Sequence, residues 1–329
     1  MKFLVMAGPK KTIVKDIGDV KPNDDQILIK NKYIGVCMSE HHAWATAKEG
    51  DAFGHEPMGY IVEIGKNVKG FAVGDRVSGC WGNPLPGGGG MTEYALATTD
   101  NILKKIPANV RDEDAVLEPL ACLMSAVSKA RFSVPGTRVC VVGAGYMGCG
   151  SIGLLKMKGA HVTAVDINQK SLENAKKYGA DEVYTVAEAE KKFIDPNDPC
   201  ACVGFDVVYE WGESNESLDL AVRLTNMCGQ LCVGAYHTGE KRLIDMQMLN
   251  VKAVDCLSVH PREMDLLAQC VENAAELLSS GAWNYTNVPT KVYPRNKFDQ
   301  AHEEQETKYG SYLKALIDMT WEDGEPYIV

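Results

Sequence analysis

Two short segments concentrate side chains competent to hold a metal ion. One reads Cys37-Met38-Ser39-Glu40-His41-His42 and the other Gly54-His55-Glu56-Pro57. Thiolate, imidazole and carboxylate are the donors a catalytic zinc takes, with one of its four positions left open for water or substrate. Each of these residues alone is commonly structural. A Cys-x-Ser-x-x-His group and a Gly-His-Glu group in one small stretch of chain are harder to dismiss, and they predict chemistry on a metal.

Residues 139–166 supply a partner for that chemistry. They begin with Val139-Cys140-Val141-Val142, short and β-branched enough for a buried strand. Gly143, Gly145 and Gly148 follow in the spacing G-x-G-x-x-G, enclosing Tyr146 and Met147. Next come apolar residues at helical spacing, then a second strand over 162–165 that ends in Asp166. The glycines allow a tight turn and close backbone approach, and the helix start offers unpaired N–H groups to a pyrophosphate. The acid can accept hydrogen bonds from an adenosine ribose. It favours NAD over NADP, because a carboxylate repels a 2′-phosphate and no arginine follows it closely. Lys170 weakens that preference only slightly. A lone G-x-G-x-x-G says little, but strand, glycines, helix, strand and acid in order predict a nicotinamide dinucleotide. A hydride acceptor beside a Lewis acid is the equipment needed to oxidise an alcohol.

The elements around these motifs divide the chain. Residues 1–80 alternate short apolar runs (3–6, 26–29, 60–64, 76–78) with turn signals. That predicts a mostly antiparallel β domain, coiled or barrel-like, with few helices. The Gly- and Pro-rich run at 81–91 reads as a surface connection, since no Lys-Ser/Thr follows to make a phosphate cradle. A further β segment at 92–98 leads to a helix at 113–130, and Pro135-Gly136 marks the step into the dinucleotide unit. From there helices (171–178, 216–224, 264–279) and strands (182–185, 205–209, 231–233, 256–259) predict a doubly wound parallel sheet with right-handed crossovers. Residues 282–329 lose that rhythm and are expected to rejoin the first domain, leaving a cleft between the two. The expected division is catalytic 1–125, dinucleotide-binding 126–280, and 281–329 returning.

Composition narrows the partners. A formal charge of −10 argues against nucleic acid or an anionic membrane surface. No apolar run approaches the roughly 20 residues that span a bilayer, and the N-terminal run is too short for a secretory signal. Eleven cysteines are scattered along the chain, several in strand-like runs (Cys140, Cys232, Cys256) where a free thiol acts as a small hydrophobe. A chain of this size needs no disulfide staples, so a reducing cytoplasm is expected. Cys200 and Cys202 form a C-x-C without a second pair, and read as surface thiols rather than a metal site.

Cys37 to His42, Gly54-His55-Glu56, Gly74-Asp75-Arg76-Val77, Glu118-Pro119-Leu120 and Gly143 to Gly148, in that succession, resemble the zinc-dependent medium-chain dehydrogenases. The chain is most similar to their sorbitol (polyol) and threonine dehydrogenase branch, nearly end to end. The resemblance implies an α/β fold that joins a GroES-like, mostly-β catalytic domain to a Rossmann domain. It implies NAD and one catalytic zinc as cofactors, a small alcohol as substrate, and a homodimer or homotetramer. Cys37 and His55 match the zinc ligands that members share. Glu56 matches the acid that ligates zinc or moves in and out of its shell, and Glu118 a glutamate that contacts the metal or its water. Ser39 matches the hydroxyl that bonds the substrate alcohol, and His42 the histidine that passes the proton outward. Glu40 matches an acid that orients His55, while His41 reads as a helix-surface residue. The dinucleotide would lie on Gly143, Gly145, Tyr146, Met147, Gly148, Asp166 and Gly234.

The chain also departs from the family. Members often carry four closely spaced cysteines binding a structural zinc, but only Cys80 follows Val77 before the glycine run. One thiol cannot close a tetrahedral site, so no structural zinc is expected. Cys122, at i+4 from Glu118, is a rival third ligand to the catalytic ion. The substrate expected is a secondary alcohol of a polyol, sugar or cyclitol. His260, Arg262, Tyr236 and His237 are polar candidates at strand ends, and Trp44 is either a pocket wall or a core residue. The competing readings are oxidation of a β-hydroxy amino acid, a zinc-free quinone or enone reductase, and a dinucleotide-binding redox sensor without catalysis.

Overall fold

Strand Gln26–Val36 is the axis of the first sheet, with Ile27, Ile29 and Ile34 completely buried. In the computed structural model, which describes residues 1–81, 90–131, 134–195, 197–198 and 203–329, this strand takes three antiparallel partners. Pro57–Ile64 runs along one edge; Tyr94–Thr98 and Lys314–Asp318 share the other, the first beside its start and the second beside its end. Beyond Pro57–Ile64 lie Arg76–Cys80 and Ile102–Lys105, and beyond Lys314–Asp318 lie Thr290–Pro294 and Tyr327–Ile328. The last part of the chain therefore completes the sheet begun by the first. A separate hairpin, Lys2–Gly8 with Lys11–Asp16, stands beside it.

The second sheet is wholly parallel. Its spatial order is Glu182–Thr185, His161–Asp166, Arg138–Val142, Phe205–Glu210, Thr225–Val233, Asp255–Ser258. Numbered along the chain that is 3-2-1-4-5-6, the dinucleotide-binding arrangement, whose crevice opens at the carboxyl ends beside the first strand. Helix Leu117–Lys129 packs against helix Met264–Ser280 and against the sheet. The expected boundary at 125/126 falls inside that first helix. One continuous core joins Leu117, Leu120 and Leu123 to Val139, Ile152, Val271, Trp283 and Tyr285. A second cluster, with Ile34, Val36, Trp44, Tyr293, Phe298 and Ile317, lies under the metal-competent segment.

Several local expectations change. The helix at 113–130 separates into a turn at Asp112–Asp114 and the helix Leu117–Lys129, with Pro119 in the first turn, where its missing N–H costs nothing. Helix Val186–Phe193 was not anticipated, although Thr185 and Glu188 form a reciprocal capping box legible as T-x-x-E. Strand Lys11–Asp16 was hidden because it is exposed on nearly every position and so shows no alternation. Cys140 and Cys232 are buried as expected, but Cys256 is exposed, on the strand at the end of the sheet. Most of the glycine run (82–89) and the Cys200/Cys202 pair lie outside the described residues. No helix among the described residues is long and apolar enough to cross a membrane.

Candidate active site

Strand register brings the two metal-competent segments together. Cys37 directly follows strand Gln26–Val36, and Glu56 directly precedes Pro57–Ile64, with Ile34 opposite Pro57 and the Gly35 N–H donating to the Glu56 carbonyl at 2.8 Å. The donor atoms of Cys37, His55 and Glu56 all lie within 4.8 Å of one another. Room for the carboxylate comes from Gly35, where any Cβ would collide with Glu56 Oε2. Glu40 Oε1 accepts from the Gly54 N–H at 2.8 Å and stands 2.9 Å from His55 Nδ1. This holds Nδ1 as the protonated nitrogen and leaves Nε2 for the cluster, the usual way an acid fixes a metal-binding imidazole. Burial works against charge on His55, but the bonds to Cys37 and Glu40 outweigh it and raise its affinity for a proton. Ser39 Oγ donates to Cys37 Sγ at 3.1 Å.

The structure brings Cys37, His55 and Glu56 together but leaves Glu118 outside that group. Its carboxylate accepts from Cys122 Sγ at 3.1 Å. Burial and the Glu56 charge push the Glu118 carboxyl up to about 6. Ser39 and His42 make no hydrogen bond to each other, and the His42 ring is exposed, facing Gly239 across the cleft. His41 is more than a surface residue: its Nε2 bonds Glu306 at 2.9 Å, and its ring meets those of Trp44 and His302. Trp44 is fully buried with its N–H on Asp299 at 2.8 Å, so it serves the core and walls no pocket.

Lys314 was missed by sequence reasoning. It opens strand Lys314–Asp318 beside Val36, and a lysine heading the apolar run Ala315-Leu316-Ile317 was the available signal. Its Nζ pairs with Glu56, donates to the Val36 carbonyl at 3.3 Å, and lies 4.9 Å from the centre of the Tyr146 ring. Burial lowers its proton affinity, but Glu56 foremost, then Cys37, more than restore it. One ammonium thus touches both the metal-competent cluster and the first residue of the glycine-turn helix.

That turn has the shape a dinucleotide needs. Gly143 takes φ +93°, which favours glycine. A Cβ at Gly148 would collide with the Gly143 carbonyl, whereas the space over Gly145, at the start of helix Tyr146–Met157, is open. Asp166 accepts from the N–H groups of Ala144 at 2.7 Å and Asn168 at 2.8 Å. Tyr146 turns its ring to Lys314 and Tyr285, and Met147 packs on the core, so both offer backbone rather than side chain to a ligand. Gly234 leaves room for the Trp211 ring. At the adjacent strand end the buried Glu210 accepts from the Gly212 and Glu213 N–H groups and from Ser217 Oγ, and faces His237 Nε2 at 2.8 Å.

Known proteins are similar to this chain in sequence and in fold. The sequence model described as the alcohol dehydrogenase GroES-like domain matches residues 23–108, and that described as zinc-binding dehydrogenase matches residues 147–293. The chain is 28% identical to D-arabitol-phosphate dehydrogenase of Enterococcus avium, over 94% of each chain. It is 27% identical to a sorbitol dehydrogenase of Halalkalibacterium halodurans, over 96% of this chain and 99% of the other. Among solved structures, an Escherichia coli oxidoreductase/dehydrogenase of unknown specificity superposes with a TM-score of 0.80 at 22% identity, over 96% of this chain and 98% of that one.

Proposed function

Because the chain belongs to the zinc-dependent medium-chain dehydrogenases, we propose that it oxidises a secondary hydroxyl of a polyol, sugar or cyclitol to the ketone, with NAD⁺ as hydride acceptor. The observation that carries this reading is the Cys37–His55–Glu56 cluster, with Glu40 behind His55, joined by Lys314 to the glycine turn. Cys37, His55 and Glu56 would hold one zinc, with Glu118 as an exchangeable fourth group. The ion would supply Lewis acidity to the substrate oxygen.

The chain's own residues do the rest. Glu40 keeps His55 in the tautomer that ligates. Ser39, whose hydroxyl sits on Cys37, takes the substrate proton, and the exposed His42 releases it to solvent. Gly143, Gly145 and Gly148, with the backbone of Tyr146 and Met147 and with Gly234, hold the dinucleotide, and Asp166 receives the adenosine ribose. A chain of this length needs no disulfide staples, which supports a reducing cytoplasm as its compartment, and a homodimer or homotetramer is the assembly we expect.

The test is NADH absorbance with zinc-loaded enzyme across polyols, sugars and cyclitols, with metal content measured in parallel. Turnover should disappear in Cys37→Ser and after chelation, and NADP⁺ should be a poor acceptor. Undiminished turnover in metal-free enzyme would overturn the zinc reading; equal use of NADP⁺ would overturn the role of Asp166.

A further inference from the structure

The carboxyl end of the last parallel strand, Asp255–Ser258, runs into His260, Pro261 and Arg262 before helix Met264–Ser280. Strand ends on this side of such a sheet line the ligand crevice. Lys129, the last residue of the helix that begins with Leu117 and Glu118, donates its ammonium to the His260 carbonyl at 3.0 Å. His260 Nδ1 faces the Pro261 carbonyl at 3.2 Å, which makes Nδ1 the donor and leaves Nε2 free. The ring is braced by Tyr236 at 5.1 Å, from the neighbouring strand end.

The charges here are lopsided. Burial and Arg262, then more weakly Lys129 and His55, disfavour protonation of His260. Arg262 is exposed, and among the described residues it is the one arginine that makes neither a hydrogen bond nor an ion pair. Lys129 also pairs with the exposed Glu263 at 3.6 Å, so Arg262 is the uncompensated cation of the group. In a chain with a formal charge of −10, a guanidinium left unpaired beside a lysine and a histidine is positioned for an anion that arrives from outside. Arg262 also has the planar donor fork that suits a carboxylate or phosphate.

We propose that the substrate is an anionic polyol, bearing a phosphate monoester or a carboxylate away from the reacting hydroxyl, and that Arg262 and Lys129, with His260 Nε2, form the subsite for that charge. This rests on the dehydrogenase reading above and narrows its substrate class.

The experiment is steady-state kinetics of the zinc-loaded enzyme with NAD⁺ on matched sets: a pentitol or hexitol, its terminal monophosphate, and the corresponding aldonate. The anionic member should exceed the neutral one at least tenfold in kcat/KM, chiefly through KM, and KM should rise with ionic strength as screening grows, by about the Debye argument. The more efficient anion of the two identifies the charged group. Arg262→Ala should cost the anionic substrate about tenfold more than its neutral counterpart, and Arg262→Lys should restore part of that loss. A melting curve for each variant guards against misfolding. Equal efficiency on neutral and anionic members, or an equal loss on both in Arg262→Ala, overturns the anion subsite while leaving the dehydrogenase reading standing. No NADH from any member of the panel overturns that reading itself, and the subsite with it.

Discussion

Lys314→Met removes the ammonium that faces Glu56 while keeping a side chain of similar length. Both partners are buried, Glu56 at 1% and Lys314 at 6% exposure. Taking one charge from a buried pair leaves the other uncompensated and costs about 3–5 kcal/mol, far more than a surface pair is worth. In a chain of this size that lowers the melting temperature by about 2 °C per kcal/mol, so roughly 6–10 °C. The measurement is thermal or denaturant unfolding of the chelated protein. Adding zinc should shrink the gap, because the cation offers Glu56 a second counter-charge. The double variant Lys314→Met, Glu56→Gln should recover part of the loss, since it no longer buries a lone carboxylate. The sign with pH is fixed. The folded state raises the lysine's proton affinity, so the pair contributes fully below the unfolded value of about 10.4 and is lost only as pH climbs through the higher folded one. The lysine's own part of that gap is therefore constant from about pH 6 to 9. A loss below about 1 kcal/mol in metal-free protein, or a double variant no more stable than Lys314→Met, would refute the claim that this ammonium balances the Glu56 charge.

Two further outcomes are expected. Gly148→Ala forces a methyl against the Gly143 carbonyl, so NADH affinity measured by fluorescence should fall at least about tenfold; unchanged affinity would show that helix and turn need not approach so closely. His302 is completely buried, stacked on Trp44, with neither ring nitrogen bonded among the described residues, and burial, then His41, hold its pKa down to about 3. The unfolded chain takes up that proton below about 6.5, so stability should drop by up to about 1.4 kcal/mol per pH unit on acidification between those values. His302→Leu should flatten this acid limb in urea titrations at pH 4.5 and 7.5, and an unaltered limb would assign the acid sensitivity elsewhere.

The features legible in the sequence were those with a local signature. Gly143, Gly145, Gly148 and Asp166 announce themselves because one turn needs them at fixed spacing, and the regular βα alternation made the parallel sheet readable. Cys37, His55 and Glu56 were recognisable as donors, but their proximity depends on which residue of strand Gln26–Val36 faces Pro57, and register is a non-local property. Lys314 was illegible for the same reason: its value comes from pairing across most of the chain, and nothing nearby in sequence marks its partner. His41 was misjudged and Trp44 left undecided because short-range spacing cannot reveal Glu306, Asp299 or His302, all contributed from residues 299–306. Strand Lys11–Asp16 failed for a different reason, having no buried face to impose a pattern.

The pairing of Lys314–Asp318 with Tyr33–Val36 has a consequence for biosynthesis. A ribosome that has released Cys37, His55 and Glu56 has yet to add the strand that walls their pocket and balances Glu56, which emerges only with Lys314–Asp318. In that interval the parallel sheet is translated between the three donors and the lysine that pairs with Glu56. Contacts of such long sequence separation form late. A finished metal pocket is therefore a sign that translation has passed residue 314, and chains interrupted earlier would present the donors without the enclosure.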